Sequence, residues 1–260
     1  QQCRRHRTQR PRDAFHLGRR QRPENYDDSN NDGYANSIYT IAVAALTDGG
    51  IQSWYSEPGA NLVVTAPSSG GITDIITTDL MGNSGYNTYG TADELSDRNY
   101  TKFFGGTSSA APLVSGILAL VLQANPNLGW RDVQEILIRS ATEVSIDDAD
   151  WSTNSAGFSF NHKYGAGLIN AQAAVELATN WVNLGPQIIA SVVRTNLNRA
   201  IPDITPAGID QTFTLFTTNM RVEQVTVTLD IQHTYRGNLA ITLTSPSGMQ
   251  SRLAELHDDY

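Results

Sequence analysis

The sequence predicts an α/β layered domain followed by a second, all-β module. Three observations predict it. Short apolar, β-branched runs at Ser37–Ala45 and Leu62–Ala66 read as buried strands. Longer stretches with helical periodicity follow at Thr107–Gln123, Trp130–Ser140 and Ala171–Trp181. Past Gly185-Pro186 the period changes to two, with Val225, Val227, Leu229 and Ile231 alternating with polar residues.

Taken in order, residues 1–23 form a basic arm holding eight of the sixteen Arg within its first 22 positions. Residues 24–34 are an Asp/Asn/Gly-rich loop, after which Ser37–Ala45 and Leu62–Ala66 supply the strands. Residues 82–102 are polar and irregular and read as a surface loop. Gly105-Gly106 opens the next helix, whose stretch from Pro112 to Ala124 is the richest apolar run and reads as buried. In Trp130–Ser140, Val133, Ile136, Leu137 and Ser140 recur at spacings of three and four, so one face is apolar. These elements place the first domain over 24–182. The second module spans 187–260: Leu239, Ile241 and Leu243 alternate like Val225–Ile231, and Pro246-Ser247-Gly248 marks a turn between strands. This module reads as truncated.

The 260 residues are 40% hydrophobic and 17% charged, enough for a packed core. No apolar run approaches the roughly 18 residues of a membrane span. The single Cys3 excludes a fold stapled by internal disulfides. Formal net charge is −8, and the basic arm masks a still more acidic body. Such a surface attracts cationic partners and disfavours nucleic acid. It suits a protein that reads basic residues and equally suits plain solubility.

The segment with the most chemistry is Gly105-Gly106-Thr107-Ser108-Ser109-Ala110-Ala111-Pro112, set at the start of the apolar helix. A hydroxyl there sits among unpaired backbone N–H groups at the positive end of the helix dipole, where an oxyanion is stabilised. The same pattern also serves as an ordinary Ser/Thr cap on a core helix.

The octapeptide resembles the Gly-Thr-Ser-x-x-x-Pro signature of subtilases, and further segments resemble the furin/kexin (proprotein convertase) branch. These are Asp32-Gly33-Tyr34-Ala35-Asn36-Ser37-Ile38-Tyr39-Thr40, Trp54-Tyr55-Ser56-Glu57, Trp130-Arg131-Asp132-Val133-Gln134 and His162-Lys163-Tyr164-Gly165-Ala166-Gly167-Leu168. Arg236-Gly237-Asn238-Leu239 and Ser245-Pro246-Ser247-Gly248 are similar to the branch's β-rich P domain. The resemblance implies a subtilisin-like parallel-sheet core, represented by its C-terminal part, packed with a jelly-roll-like P domain. It implies endoproteolysis of protein or peptide substrates after basic residues, outside the cytoplasm, with calcium as cofactor. Ser108 would be the nucleophile, with Ser109 out of register. Asp32 would face a P1 Arg, a geometrically selective pairing. Asp27 and Glu57 would ligate calcium, which prefers carboxylate oxygens; Asp28 is the alternative to Asp27. The segments Trp130–Val133 and Tyr164–Leu168 would be structural. The rival reading is a non-catalytic adhesin or binding module attached to a degenerate hydrolase core.

A serine nucleophile needs a base and an orienting carboxylate. In subtilases a His followed by Gly precedes the Ser, yet none of His6, His16, His162, His233 and His257 is followed by Gly. The expectation is that the catalytic Asp and His lie upstream of this chain, which by itself is then inactive. An oxyanion Asn is also missing from its place ahead of the acidic loop. Reverse translation of Ala14–Arg22 shifted by one nucleotide permits a Trp-Ala-Ala-Gly-Asn-Gly reading. Residues 1–22 are therefore expected to be an out-of-frame translation.

Overall fold

A computed structural model describes residues 27–88, 95–202, 208–215 and 220–257. The basic arm, with Cys3, His6 and His16, and its expected change of frame lie outside the described residues.

The core grows from two parallel strands, β1 (Ala42–Leu46) and β2 (Leu62–Pro67), in register from Val43 against Val64 to Leu46 against Pro67. Backbone around Leu168 extends this sheet: Ala166 N donates to Val63 O at 2.9 Å, and Thr65 exchanges bonds with Gly167 O and Ile169 N. That approach is close. A Cβ on Gly165 would lie 2.6 Å from the carbonyl carbon and oxygen of Val63, and Gly165 has φ +60°. Only glycine takes that conformation in so little space.

Two antiparallel strands, β3 (Ile75–Thr78) and β4 (Tyr100–Phe104), run into helix α1 (Thr107–Ala124). Helix α2 (Trp130–Ser140) follows, then a short pair β5 (Ser152–Thr153) and β6 (Ser159–Phe160), and helix α3 (Ala171–Thr179). Helix α1 packs on β1, β2 and α3, and α2 packs on β2 and α3. Ala45, Val64, Ala66, Ala110, Val114, Leu137 and Ile169 form the main cluster between sheet and helices. Val121, Ile136, Ala174 and Ala178 form a second cluster where the three helices meet.

Several expectations change. The first strand begins at Ala42 and not Ser37, because residues 36–40 form turns, with Asn36 N bonded to Asp32 O and Thr40 N to Ser37 O. Tyr39 stays largely exposed and meets the Trp130 ring edge-on at 5.0 Å. The 82–102 loop is not wholly irregular: it holds a 3-10 turn at Gly82–Ser84 and contributes Tyr100 onward to β4. Helix α1 is 18 residues long and apolar enough to cross a membrane by length and composition, contrary to the reading of shorter runs. Val114 and Val121 nevertheless sit in the core clusters, which makes it a core helix with one face packed. Its other face, including Leu120 (50% exposed), is open among the described residues.

The second module departs furthest from expectation. Among the described residues, regular structure after α3 consists of a 3-10 turn at Arg236–Asn238 and one hairpin, β7 (Ile241–Thr244) with β8 (Gln250–Ala254). The turn at 245–249 is as read: Gly248 has φ +88°, and Ser245 N bonds Met249 O at 2.8 Å. Val225, Val227, Leu229 and Ile231 form no strand and remain between 38% and 59% exposed. Alternation marks a face that wants burial, and a strand forms only where a second strand and a covering layer meet it. Side chains near its start tie this region to the core. Arg131 forks onto Glu223 at 2.7 and 2.8 Å, and Gln224 bonds Gln134 at 2.6 Å.

Candidate active site

Ser108 is the second residue of α1. The turn before it is built by backbone that side chains other than Gly would block. A Cβ on Gly105 would fall 1.9 Å from Ser69 Oγ, and Gly106, the N-cap, has φ +76°. Three hydroxyls, those of Tyr55, Ser68 and Ser69, clamp this turn from the side of the β2 end. Gly106 N donates to Ser69 Oγ at 3.0 Å, and Ser68 Oγ donates to Gly106 O at 2.7 Å. Tyr55 Oη contacts Ser68 Oγ and Ser69 Oγ at 2.7 and 2.9 Å and receives Ser69 N at 3.1 Å. Burial pushes the Tyr55 phenol up, but the hydroxyl and backbone bonds outweigh it and hold it below its ordinary value.

The two adjacent serines differ in environment. Ser109 is 3% exposed and is spent on structure, with its Oγ on Gly106 O at 3.0 Å and Ser68 Oγ at 2.7 Å. Ser108 is exposed. Gly106 brings no side-chain cap to the helix, so the first-turn N–H groups keep their positive end open beside it. Pro112 has no N–H to return to the Ser108 carbonyl four residues back.

The acidic loop is stitched to the segment bearing Glu57. Ser29 N and Oγ both donate to Pro58 O, and Ser29 Oγ also meets Asn61 Oδ1 at 2.6 Å. Asp27 Oδ1 receives Asp28 N at 2.9 Å. Asp28 is 5% exposed, and burial, reinforced by the charges of Glu255 and Asp27, pushes its carboxyl up to about 6. Glu57 is raised too, by desolvation and then by Asp27, Asp32 and Asp28. Asp32 is exposed and held below the usual carboxylate range by the N–H groups of Ala35 and Tyr34, at 3.1 and 2.7 Å. Glu57 thus lies within electrostatic reach of Asp27, Asp32 and Asp28. Among the described residues, no three His, Cys, Asp or Glu side chains converge as a metal-binding set.

The structure adds a support for Asp32 that helical patterning did not reveal. Gln134 Nε2 on α2 holds the carbonyls of Ile38 and Thr40 at 3.0 and 3.4 Å, and Trp130 lies against Tyr39. The motif 130–134 therefore does more than start a helix: it fastens the far end of the Asp32 turn. Its Asp132 closes the helix start by accepting Gly129 N and also takes Trp181 Nε1 and Leu184 N.

His162 and Asp150 look at first like the imidazole–carboxylate half of a catalytic triad. The ring is 4% exposed, and Nδ1 lies 3.2 and 3.3 Å from the Asp150 carboxylate. Its Nε2, however, accepts the backbone N–H of Arg252 at 3.0 Å. Both nitrogens are engaged, so this ring has no lone pair for a serine hydroxyl.

The sequence model described as the subtilase family matches residues 19–167, and that described as the proprotein convertase P-domain matches residues 222–259. The chain is 37% identical over 233 residues to Protease KEX1 of Kluyveromyces lactis, covering 88% of the chain and 29% of that protein. It is 35% identical over 243 residues to furin of Rattus norvegicus, covering 90% of the chain and 28% of furin. Each of these relatives is more than three times as long as the aligned region. Among solved structures, the serine protease of Aeromonas sobria superposes with a TM-score of 0.71 at 29% identity, over 88% of the chain and 45% of that protease.

Proposed function

Because the chain belongs to the subtilase family and carries a proprotein convertase P-domain segment, we propose that it is part of a serine endopeptidase that cleaves protein or peptide substrates after basic residues. The observation that carries this reading is the exposed Ser108 at the uncapped start of α1, beside a Ser109 that is buried and fully bonded. In the proposed reaction Ser108 Oγ attacks the substrate carbonyl and forms an acyl-enzyme, which water then hydrolyses. The proton of Ser108 must pass to a base. His162 has both ring nitrogens engaged and is not proposed as that base.

Asp32 is proposed to pair with the guanidinium of a P1 Arg. Its support is an exposed, ionised carboxylate on a turn held by two backbone N–H groups and fastened by Gln134. Asp27 and Glu57 are proposed to hold calcium. The donor chemistry fits: these are hard carboxylate oxygens, Glu57 is raised first by burial and then by the charges of Asp27, Asp32 and Asp28, and a divalent cation would neutralise that repulsion. A location outside the cytoplasm is proposed on the same family grounds.

The test is kcat/KM for fluorogenic peptides with Arg or Leu at P1, measured on the full-length product of its gene. Arg is expected to be preferred, Ser108→Ala to abolish cleavage, and Asp32→Asn to lower kcat/KM for Arg more than for Leu. A preference for Leu sinks the basic specificity and leaves the serine peptidase standing. Full activity of Ser108→Ala sinks both.

A further inference from the structure

The β7–β8 hairpin meets the core at His162, whose backbone and ring are both occupied. Its N donates to Asp150 Oδ2 at 2.9 Å, and its carbonyl accepts Gly59 N at 2.8 Å. Because Nε2 accepts the Arg252 N–H, the ring is the neutral tautomer with its proton on Nδ1, facing Asp150. Arg252 then turns its guanidinium onto the same carboxylate, with Nη1 on Oδ1 at 2.6 Å and Nη2 on Oδ2 at 2.9 Å. Its Nε meets Glu255, and Phe160 packs edge-on against the imidazole at 5.1 Å. On the core side, the next residue, Lys163, is ion-paired with Asp148.

We propose that His162 is a proton-gated joint between the hairpin and the core, which holds Arg252 of β8 when the imidazole is neutral and releases it when the imidazole is protonated. The reason is geometric. A proton on Nε2 would set two N–H donors head to head across 3.0 Å, beside a guanidinium already present. The one carboxylate that favours the imidazolium at contact distance, Asp150, is shared with Arg252. Glu255 adds a weaker pull in the same direction and is itself paired with Arg252. Burial, opposed by Asp150 and aided by the Arg252 charge, keeps the folded His162 below its ordinary value.

The sign follows from linkage. The closed joint has the depressed pKa and the open joint the ordinary imidazole value of about 6.5. The joint is therefore at full strength above about 6.5 and weakens as pH falls toward the folded pKa. Below that pKa no further loss accrues.

The experiment follows the Arg252 amide exchange rate, corrected for intrinsic chemistry, together with the His162 ring nitrogens by NMR on the intact chain from about pH 7.5 down to about pH 4.5. The Nδ1–H tautomer is expected at the upper end. Protection of the Arg252 amide is expected to fall by about tenfold per pH unit below about 6.5, while the amides of α2 hold. In Asp150→Asn, loss of the carboxylate should move the His162 midpoint to lower pH. An Nε2–H tautomer at neutral pH overturns the proposal. So does constant Arg252 protection, whether or not His162 titrates, and so does an unmoved or raised midpoint in Asp150→Asn.

Discussion

Replacing Gly165 by Ala tests the closest backbone approach in the core. Two costs add. The residue has φ +60°, where an L side chain costs about 1–2 kcal/mol. The new methyl would also stand 2.6 Å from Val63 C and O and 2.9 Å from Val64 N, which are strand backbone and cannot swing aside. Overpacking of this kind costs about 1–3 kcal/mol, so the sum is about 2–5 kcal/mol against a domain stability of about 5–15 kcal/mol. Gly116→Ala is the control. It lies within α1, its Cβ would meet nothing within 4 Å, and Ala in a helix gains about 0.5–1 kcal/mol over Gly. Urea unfolding followed by the fluorescence of Trp151, which stacks on Tyr164 at 6.1 Å, reads both variants. A Gly165→Ala loss below about 1 kcal/mol, or an equal loss in Gly116→Ala, would refute the close pairing of the 165–169 segment with β2.

Two more outcomes follow from the site. Ser109→Ala should cost about 1–2 kcal/mol by removing the Ser109 Oγ bonds to Ser68 Oγ and Gly106 O from a buried network, whereas Ser108→Ala should change stability by less than about 0.5 kcal/mol, and similar values for both would contradict their different burial. Calcium at about 100 times its Kd should add about 2.7 kcal/mol to the unfolding free energy, seen as a rise in Tm that chelator reverses and Glu57→Gln weakens. No rise in Tm with calcium would refute the proposed ligands.

Much of the site's local construction was legible in the residues. The paired glycines and Ser/Thr run ahead of an apolar stretch locate the start of α1, because a tight turn and an open helix end each demand those residue types. Spacings of three and four set α2 at Trp130–Ser140, and the glycines at 165 and 167 mark close packing. The choice of Ser108 over Ser109 rested on motif register alone, since neighbours in sequence look alike until something covers one of them. The burial of Asp28 was equally invisible, because an acidic loop in solution and one folded under Pro58 and Asn61 have the same composition.

Taken alone, then, the sequence determined its family, its helices, and the turn that presents Ser108, because these depend on residue types at short spacing. Tertiary structure decided the rest. It paired β3 with β4 across an intervening loop, fastened the Asp32 turn with Gln134, and closed Nε2 of His162 with the Arg252 amide. It also left Val225–Ile231 without a strand partner among the described residues despite a clear period of two. Periodicity records which face of a segment would lose energy in water; which surface covers that face is set by residues far away in the chain.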